Sequence, residues 1–312
     1  MSSIETIRPS LQKSEINRRM TADPAAFVAE ECARYRQNVA EVESWLNDAS
    51  VKRRVLLLAG PSSSGKTTTA NLLCESLRRD GVDAFVVSLD DFYRGRGLAP
   101  LLPDGSYDYE SPEALDLPQL AECIRSLLDE GQAMLPQYDF KAGRPKAEKV
   151  PLTLTHRSVV IFEGIHALCP ALVDRLPKKH VKKLFIHTRS RFYDGKECLL
   201  SRREIRLIRR MVRDEKHRGT TAAQTLSMWP QVVHGEETYL FPYADTVDMT
   251  IDTTHAFEPC MTAVQALPLL QAIPADHPHH AAAQHLIAAL GGFAEAPLSL
   301  LPENCILREF LE

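Results

Sequence analysis

The strongest chemical signal in the chain is Gly60-Pro61-Ser62-Ser63-Ser64-Gly65-Lys66-Thr67, which fits the pattern G-x-x-x-x-G-K-[ST]. It follows an apolar run, 55–59, and precedes a helical pattern that starts at Thr67. In that context the pattern reads as a phosphate cradle. Backbone N–H groups of a tight glycine-rich loop and of a helix N-terminus converge on an anion. Gly60 and Gly65 permit close backbone approach, while Ser62, Ser63, Ser64 and Thr68 add donors. Lys66 is expected to reach the β- and γ-phosphates of ATP, and Thr67 to offer its hydroxyl to Mg²⁺. A chance glycine-serine loop is the competing explanation, and the strand–loop–helix context disfavours it.

Two carboxylates extend this chemistry. Glu163 ends the apolar run 159–162, and an acid there can hold Mg²⁺ directly or through water. The bland alternative is a surface acid after a strand. Asp90 ends the run 84–89 and can accept the proton of an attacking hydroxyl. Asp91 follows it. Successive residues of an extended chain point oppositely, so one of the two is expected to face the site.

Arg202, Arg203, Arg206, Arg209, Arg210 and Arg213 recur at three- and four-residue spacing, and Arg218-Gly219 follows. Such spacing puts several guanidinium groups on one helix face. Arginine suits the charge of a phosphoryl group in transfer. A solvated face paired with Glu204 and Asp214, or an RNA-binding helix, are the alternatives. Beside a triphosphate cradle, a mobile lid over the phosphates is the better reading.

Three loops pair aromatics with acids: Asp91-Phe92-Tyr93, Tyr107-Asp108-Tyr109 and Tyr138-Asp139-Phe140. A ring can stack a base, and an aspartate can hold vicinal hydroxyls. Any single cluster is as easily loop packing; three around one site point to a nucleoside.

The elements that must position these residues alternate. Runs 55–59, 84–89, 159–162, 183–187 and 246–252 predict strands; helices are predicted over 67–79, 115–130, about 196–217 and about 221–229. That order implies an α/β fold of the P-loop NTPase type, a mostly parallel sheet covered by helices. Ligands bind beyond the carboxyl ends of such strands, where Asp90, Glu163 and Asp252 fall. Residues 1–50 predict a helical extension, with Phe27, Val28, Cys32, Tyr35, Val39, Val42, Trp45 and Leu46 as its apolar stripe and Asp23-Pro24 as an N-cap. The kinase-like domain is 51–273, with the arginine-rich lid at about 196–220. Residues 274–312 predict a linker, rich in proline and histidine over 274–285, and a small helical tail.

Composition excludes some classes. A net charge of −4 argues against a nucleic-acid partner. No apolar run approaches the ~20 residues of a membrane span, so no membrane association is expected and the chain reads as cytoplasmic. The 7 cysteines form no C-x-x-C pair and read as reduced, mostly buried thiols rather than disulfides or zinc ligands. The 11 histidines are mostly isolated and read as solvated, without a metal role.

The P-loop, Ser88-Leu89-Asp90-Asp91-Phe92-Tyr93, Tyr107-Asp108, Tyr138-Asp139-Phe140, Phe162-Glu163-Gly164 and the run 206–214 occur in the order seen in the uridine kinase and phosphoribulokinase family, and the resemblance covers roughly 50–252. The tail, 302–310, resembles the end of a longer bacterial subfamily of uridine or nucleoside kinases. The resemblance implies that Asp90 is the catalytic base for a 5′-hydroxyl, that Asp108 and Arg210 hold a ribose, and that Tyr107, Tyr138 and Phe140 surround the base. Tyr93 joins that aromatic set. The resemblance also places Arg213 and Arg218 in the lid that touches the phosphates, and Glu163 on magnesium. Family members are often homo-oligomers, although nothing in this sequence marks an interface.

The departures lie at the base edge. Gly143 stands where the family has a histidine that reads the pyrimidine, Thr220 replaces an arginine and Met228 a glutamine. Weak base discrimination is therefore expected, with room at Gly143 for a larger base. The leading expectation is an ATP-dependent nucleoside kinase acting on a small molecule. A kinase for another hydroxyl compound (a sugar phosphate, pantothenate or glycerate) is the second, marked by a basic rather than aromatic acceptor pocket. An NTP-dependent regulatory ATPase is the third, marked by hydrolysis without an acceptor.

Overall fold

The computed structural model describes residues 10–47 and 53–312, so the outer parts of the expected helical extension, 1–9 and 48–50, lie outside the described residues. The extension forms a short strand β1 (Leu11–Gln12) and two helices, α1 (Lys13–Ala22) and α2 (Pro24–Leu46), rather than one helix. Asp23 breaks it: its φ of −156° leaves the helical region, and its side chain accepts the Ala26 N–H to start α2, with Pro24 in the first turn.

The sheet begins with β2 (Arg53–Ala59), whose residues 55–59 are fully buried, as a central parallel strand requires. The P-loop leads into α3 (Lys66–Arg79) and β3 (Asp83–Ser88), and α4 (Leu117–Asp129) follows the aromatic loop. Four short strands come next: β4 (Gln132–Leu135), β5 (Tyr138–Asp139), β6 (Arg144–Pro145) and β7 (Val150–Thr153), with β4 paired to β7 and β5 to β6. Then come β8 (Ser158–Glu163), α5 (Pro170–Val173) and β9 (Val181–His187). The five central strands, completed by β12 (below), run parallel in the order β12-β9-β2-β8-β3. Register pairs Glu163 with both Leu58 and Ser88, which brings the carboxyl ends of β2, β8 and β3 to one edge.

Period-two alternation sends Leu56, Leu58 and Ile161 into one core and Val55, Leu57 and Phe162 into another. The first is covered by α1, α2, α3 and the C-terminal helices; the second by α4 and α5.

Several expected boundaries move. Phe192–Asp194 and Glu197–Leu200 form a hairpin, β10 and β11, so α6 (Arg202–Arg218) starts at 202 rather than near 196, behind a Ser201–Glu204 capping box. Helix α7 (Ala222–Tyr239) does not stop near 229 but passes through Pro230. An interior proline costs about 3 kcal/mol; Glu236, one of the residues beyond it, is locked in a buried ion pair with Arg206 on α6 and holds the second half in place. Residues Phe241–Thr246 form a 3₁₀ turn, which delays β12 to Met249–Asp252. Helix α8 (Glu258–Gln271) carries prolines at 259 and 268 and has no counterpart among the expected elements. The expected linker already enters α9 (His280–Leu290) at 280, and α10 (Arg308–Leu311) ends the chain. Leu286, Ile306, Leu307 and Phe310 are buried in the same core as α2 and α3, so tail and extension share one packed side of the sheet. Among the described residues no helix is long and apolar enough to cross a membrane.

Candidate active site

The loop after β2 turns at once. The Ser64 N–H donates to the Pro61 carbonyl at 3.2 Å, Ser63 adopts a left-handed φ of 57° and Gly65 one of 90°. Left-handed residues in such a turn aim backbone N–H groups inward as a nest for anions. A Cβ on Gly60 would lie 2.3 Å from the Ile186 carbonyl oxygen, so only glycine fits there. The hydroxyls of Ser63 and Ser64 are buried and lack a hydrogen-bond partner among the described residues. Unpaired buried hydroxyls are costly unless a ligand takes them, and phosphate oxygens would.

Lys66 Nζ donates to the Pro61 carbonyl at 3.2 Å. Burial pushes its pKa down, and the charges of Glu163 and Asp90 pull it back. Thr67 Oγ1 donates to Glu163 Oε1 at 3.4 Å, which sets a hydroxyl and a carboxylate side by side as hard oxygen ligands. Burial raises the pKa of Glu163, with Lys66 opposing it. These donors fit a magnesium-bound triphosphate.

Two arginines of α6 brace this loop from behind. Arg206 donates to the Ser62 carbonyl at 3.0 Å and to both oxygens of Glu236 at 2.7 and 2.8 Å, and Glu236 in turn accepts the Ser62 N–H at 2.8 Å. Arg209 donates to Glu258 at 2.5 and 2.7 Å, to the Thr253 carbonyl at 2.9 Å and to the Ser63 carbonyl at 3.4 Å. All four side chains are buried. The expected single arginine face is thus divided: Arg206 and Arg209 face the core, and Arg202 and Arg203 are exposed. Arg210, Arg213 and Arg218 gather on one buried carboxylate, Asp214, at 3.2, 2.7 and 3.5 Å. Arg210 also donates to Ser62 Oγ at 2.8 Å.

Asp90 sits in a 3₁₀ turn, Leu89–Phe92, directly after β3. The residue is exposed, yet neighbouring atoms crowd its carboxyl. That crowding raises its pKa, and the positive charges of Lys66 and Arg218 work against the rise. Asp91 is engaged elsewhere: its Oδ1 accepts the Tyr138 N–H at 3.0 Å and pins the β5–β6 hairpin. Asp252, the third strand-end acid, is structural. Burial favours its protonation, but hydrogen bonds from Thr254, the Arg189 N–H and Ser190 hold its pKa below the ordinary value.

The aromatic loops do converge. Tyr138 lies 5.8 Å from Tyr93 and 5.1 Å from Phe140, and Tyr107 lies 5.9 Å from Tyr109. The Tyr93 hydroxyl donates to the Tyr109 carbonyl at 3.2 Å, which ties two of the loops. Asp108 is buried, accepting the Tyr239 hydroxyl at 2.9 Å and the Glu110 N–H at 3.1 Å. A carboxylate has about four acceptor sites, so capacity remains for a ligand hydroxyl. The room expected at Gly143 is not there. Gly143 has a left-handed φ of 66°, and a Cβ would fall 2.4 Å from the side chain of Arg96. Arg96 fills the space and donates to the Phe140 carbonyl at 3.4 Å.

Three further residues reach the site without having been singled out from the sequence. Glu309 Oε2 accepts the Thr68 N–H at 3.3 Å and its hydroxyl at 2.5 Å, so the tail carboxylate occupies donors at the start of α3. His166 follows Glu163 by three residues; it is buried, its pKa is pushed down to about 4 by burial, and its Nδ1 has no hydrogen-bond partner among the described residues. Glu110, beside Asp108, is pushed up to about 7 by burial, with Arg210 opposing. Position after a strand-end acid was the available signal for His166. For Glu309 there was only the resemblance of the tail, since it lies 241 residues from Thr68.

Known proteins resemble this chain. The chain is 28% identical to a uridine kinase of Lactobacillus johnsonii over 179 residues, 57% of this chain and 76% of that one. It is 30% identical to a uridine kinase of Shewanella piezotolerans over 182 residues, 57% of this chain and 77% of that one. A solved structure described as a possible uridine kinase, from Bacillus stearothermophilus, overlays on 70% of this chain and 98% of its own length with a TM-score of 0.47 at 20% identity. Residues 55–257, well over half of the chain, match the Phosphoribulokinase / Uridine kinase family, and the chain belongs to that family of kinases.

Proposed function

We propose that the chain transfers the γ-phosphate of ATP to the 5′-hydroxyl of a nucleoside, with uridine the foremost acceptor. The observation that carries this reading is the position of Asp90, within electrostatic reach of Lys66 on one side and of Tyr93 in the aromatic group on the other. Bound ATP and Mg²⁺ supply the phosphoryl group and a cation that neutralises its oxygens. Ser62, Ser63, Ser64, Gly65 and Thr68 would hold the phosphates, and Thr67 and Glu163 the metal. Lys66, Arg213 and Arg218 offset the charge of the group in transfer. Asp90 takes the proton of the acceptor hydroxyl, and its raised pKa makes it the stronger base. Asp108 and Arg210 hold the ribose; Tyr93, Tyr107, Tyr138 and Phe140 offer faces to the base.

The test is ADP release with uridine, cytidine, inosine, adenosine and 2′-deoxyuridine under one condition. Turnover of the ribonucleosides is expected. Discrimination between uridine and inosine is expected to stay below about a thousandfold, roughly 4 kcal/mol. Loss of the 2′-hydroxyl is expected to cost more than a change of base, because Asp108 loses a partner. No activity on any of the five would sink the nucleoside reading. Arg96 supports a second reading: its guanidinium beside Phe140 suits an anionic acceptor such as a sugar phosphate or glycerate, and both belong in the same panel.

A further inference from the structure

Three residues with soft or nitrogen donors meet in the core although the sequence scatters them. Cys32 lies on α2, His255 in the loop between β12 and α8, and Cys305 in the tail. The sulfurs of Cys32 and Cys305 are 3.5 Å apart, and a ring nitrogen of His255 lies within 4.8 Å of both. All three side chains are buried.

The histidine points to a ligand. Its Nδ1 faces the Thr253 carbonyl at 3.3 Å, while Nε2 is buried with no hydrogen-bond partner among the described residues. A carbonyl that holds Nδ1–H leaves the Nε2 lone pair available, which is how neighbouring carbonyls orient metal-binding histidines. The Cys32 thiol faces the Cys305 sulfur directly.

The spacing is compatible with a shared metal and too long for a disulfide. Two sulfurs on one tetrahedral metal, each at ~2.3 Å from it, lie about 3.7 Å apart. A disulfide needs ~2.0 Å. The separation of 3.5 Å is near the first value and far from the second.

We propose that Cys32, His255 and Cys305 bind one soft d¹⁰ metal ion, Zn²⁺ or Cu(I). Two thiolates neutralise a divalent ion outright, and thiolate with imidazole suits both ions. A filled site would clamp the tail to α2. It would also act near the P-loop, because Tyr35, 5.4 Å from the His255 ring, shares a 2.6 Å hydrogen bond with Thr69 on α3.

The test uses the full chain, reduced and stripped of metal under anaerobic conditions. Zn²⁺ and Cu(I) are titrated separately against a chromophoric competitor, with bound metal counted by native mass spectrometry. One ion per chain is expected, and Cys305→Ser is expected to weaken binding by about a hundredfold or more. Cys198→Ser, at the exposed cysteine, is expected to leave binding unchanged. X-ray absorption on the loaded wild type is expected to show both sulfur and imidazole scattering. Should Cys305→Ser not fold, slowed alkylation of Cys32 and Cys305 in the loaded wild type supplies the same support. Uptake of one ion and not the other supports the site and names its metal. The proposal is overturned if neither ion binds while all 7 thiols titrate as reduced. It is equally overturned if binding survives in a folded Cys32→Ser, Cys305→Ser double variant, or if the cysteines oxidise to a disulfide with no metal uptake before it.

Discussion

Around Ser62 and Ser63 the backbone is held by buried ion pairs, Arg206 with Glu236 and Arg209 with Glu258, whereas around Tyr138 and Phe140 it is held by a short hairpin, an Asp91 oxygen, an Arg96 hydrogen bond and ring contacts in partly exposed loops. The two ends of the cleft therefore differ in what a substitution can reach. Phosphates are the same for every acceptor, and the cradle proposed for them is main chain, fixed from behind by buried charges. The acceptor end is side chain on loops, where sequence varies at little cost to the fold. Phosphoryl transfer and substrate choice are in that sense separable in this chain.

The contrast can be broken or sharpened by six substitutions. Lys66→Ala should have the largest effect: kcat falls by about a thousandfold or more, roughly 4 kcal/mol, while thermal unfolding stays near wild type. Near-normal turnover in the folded variant would remove the donor assignment. Asp90→Asn is expected to lower kcat by ~10²–10⁴-fold with little change in KM for ATP. Asp91→Asn in contrast loosens the hairpin and raises KM for the acceptor more than it lowers kcat; the reverse pattern would exchange their roles. The pH profile adds a check. A base works when deprotonated, so activity is present above the pKa of Asp90 and lost as pH falls through it. With the pKa raised, that acidic limb lies above the ordinary value of 3.8, and Asp90→Asn abolishes it.

Glu236→Gln tests the brace. Removing one partner of a buried ion pair strands the other, at a cost of about 3–5 kcal/mol, read by denaturant unfolding. A loss under ~1 kcal/mol would mean that the P-loop stands without it. Glu309→Gln removes the negative charge that competes with phosphate at the start of α3. The KM for ATP is then expected to drop about two- to fivefold with kcat unchanged, matching the ~0.5–1 kcal/mol worth of an anion at a helix N-terminus. An increase in KM would show that the tail supports the nucleotide instead. Phe140→Ala, at a side chain 59% exposed, is expected to be mildest: about fivefold in KM for a nucleoside from ~1 kcal/mol of lost stacking, with ATP kinetics untouched.

What the sequence disclosed follows from how local each signal is. The P-loop, β2 and the acids after β3 and β8 are read within a few residues, because a continuous apolar run and the residue that ends it fix both strand and site. Alternation of such runs with helical patterns was enough for the parallel sheet. The division of the arginines was not legible: a three- and four-residue spacing gives a face but not what lies opposite, and Glu236 and Glu258 come from helices that prolines disguised. Arg96 filling the space beside Gly143, and Glu309 on Thr68, depend on contacts between distant segments. The cysteines read as isolated thiols for the same reason; only folding brings 32, 255 and 305 together.

The cluster at Asp214 has a kinetic consequence. Three guanidinium groups share one carboxylate near the P-loop, with Arg218 more than half exposed. Their field reaches about a Debye length, ~8 Å at physiological salt, so it acts on an approaching polyanion before any hydrogen bond forms. The chain as a whole carries −4, so these guanidinium groups attract anions locally against that background. On the proposed function, added salt is therefore expected to slow the arrival of ATP more than its departure, which the buried main chain would govern.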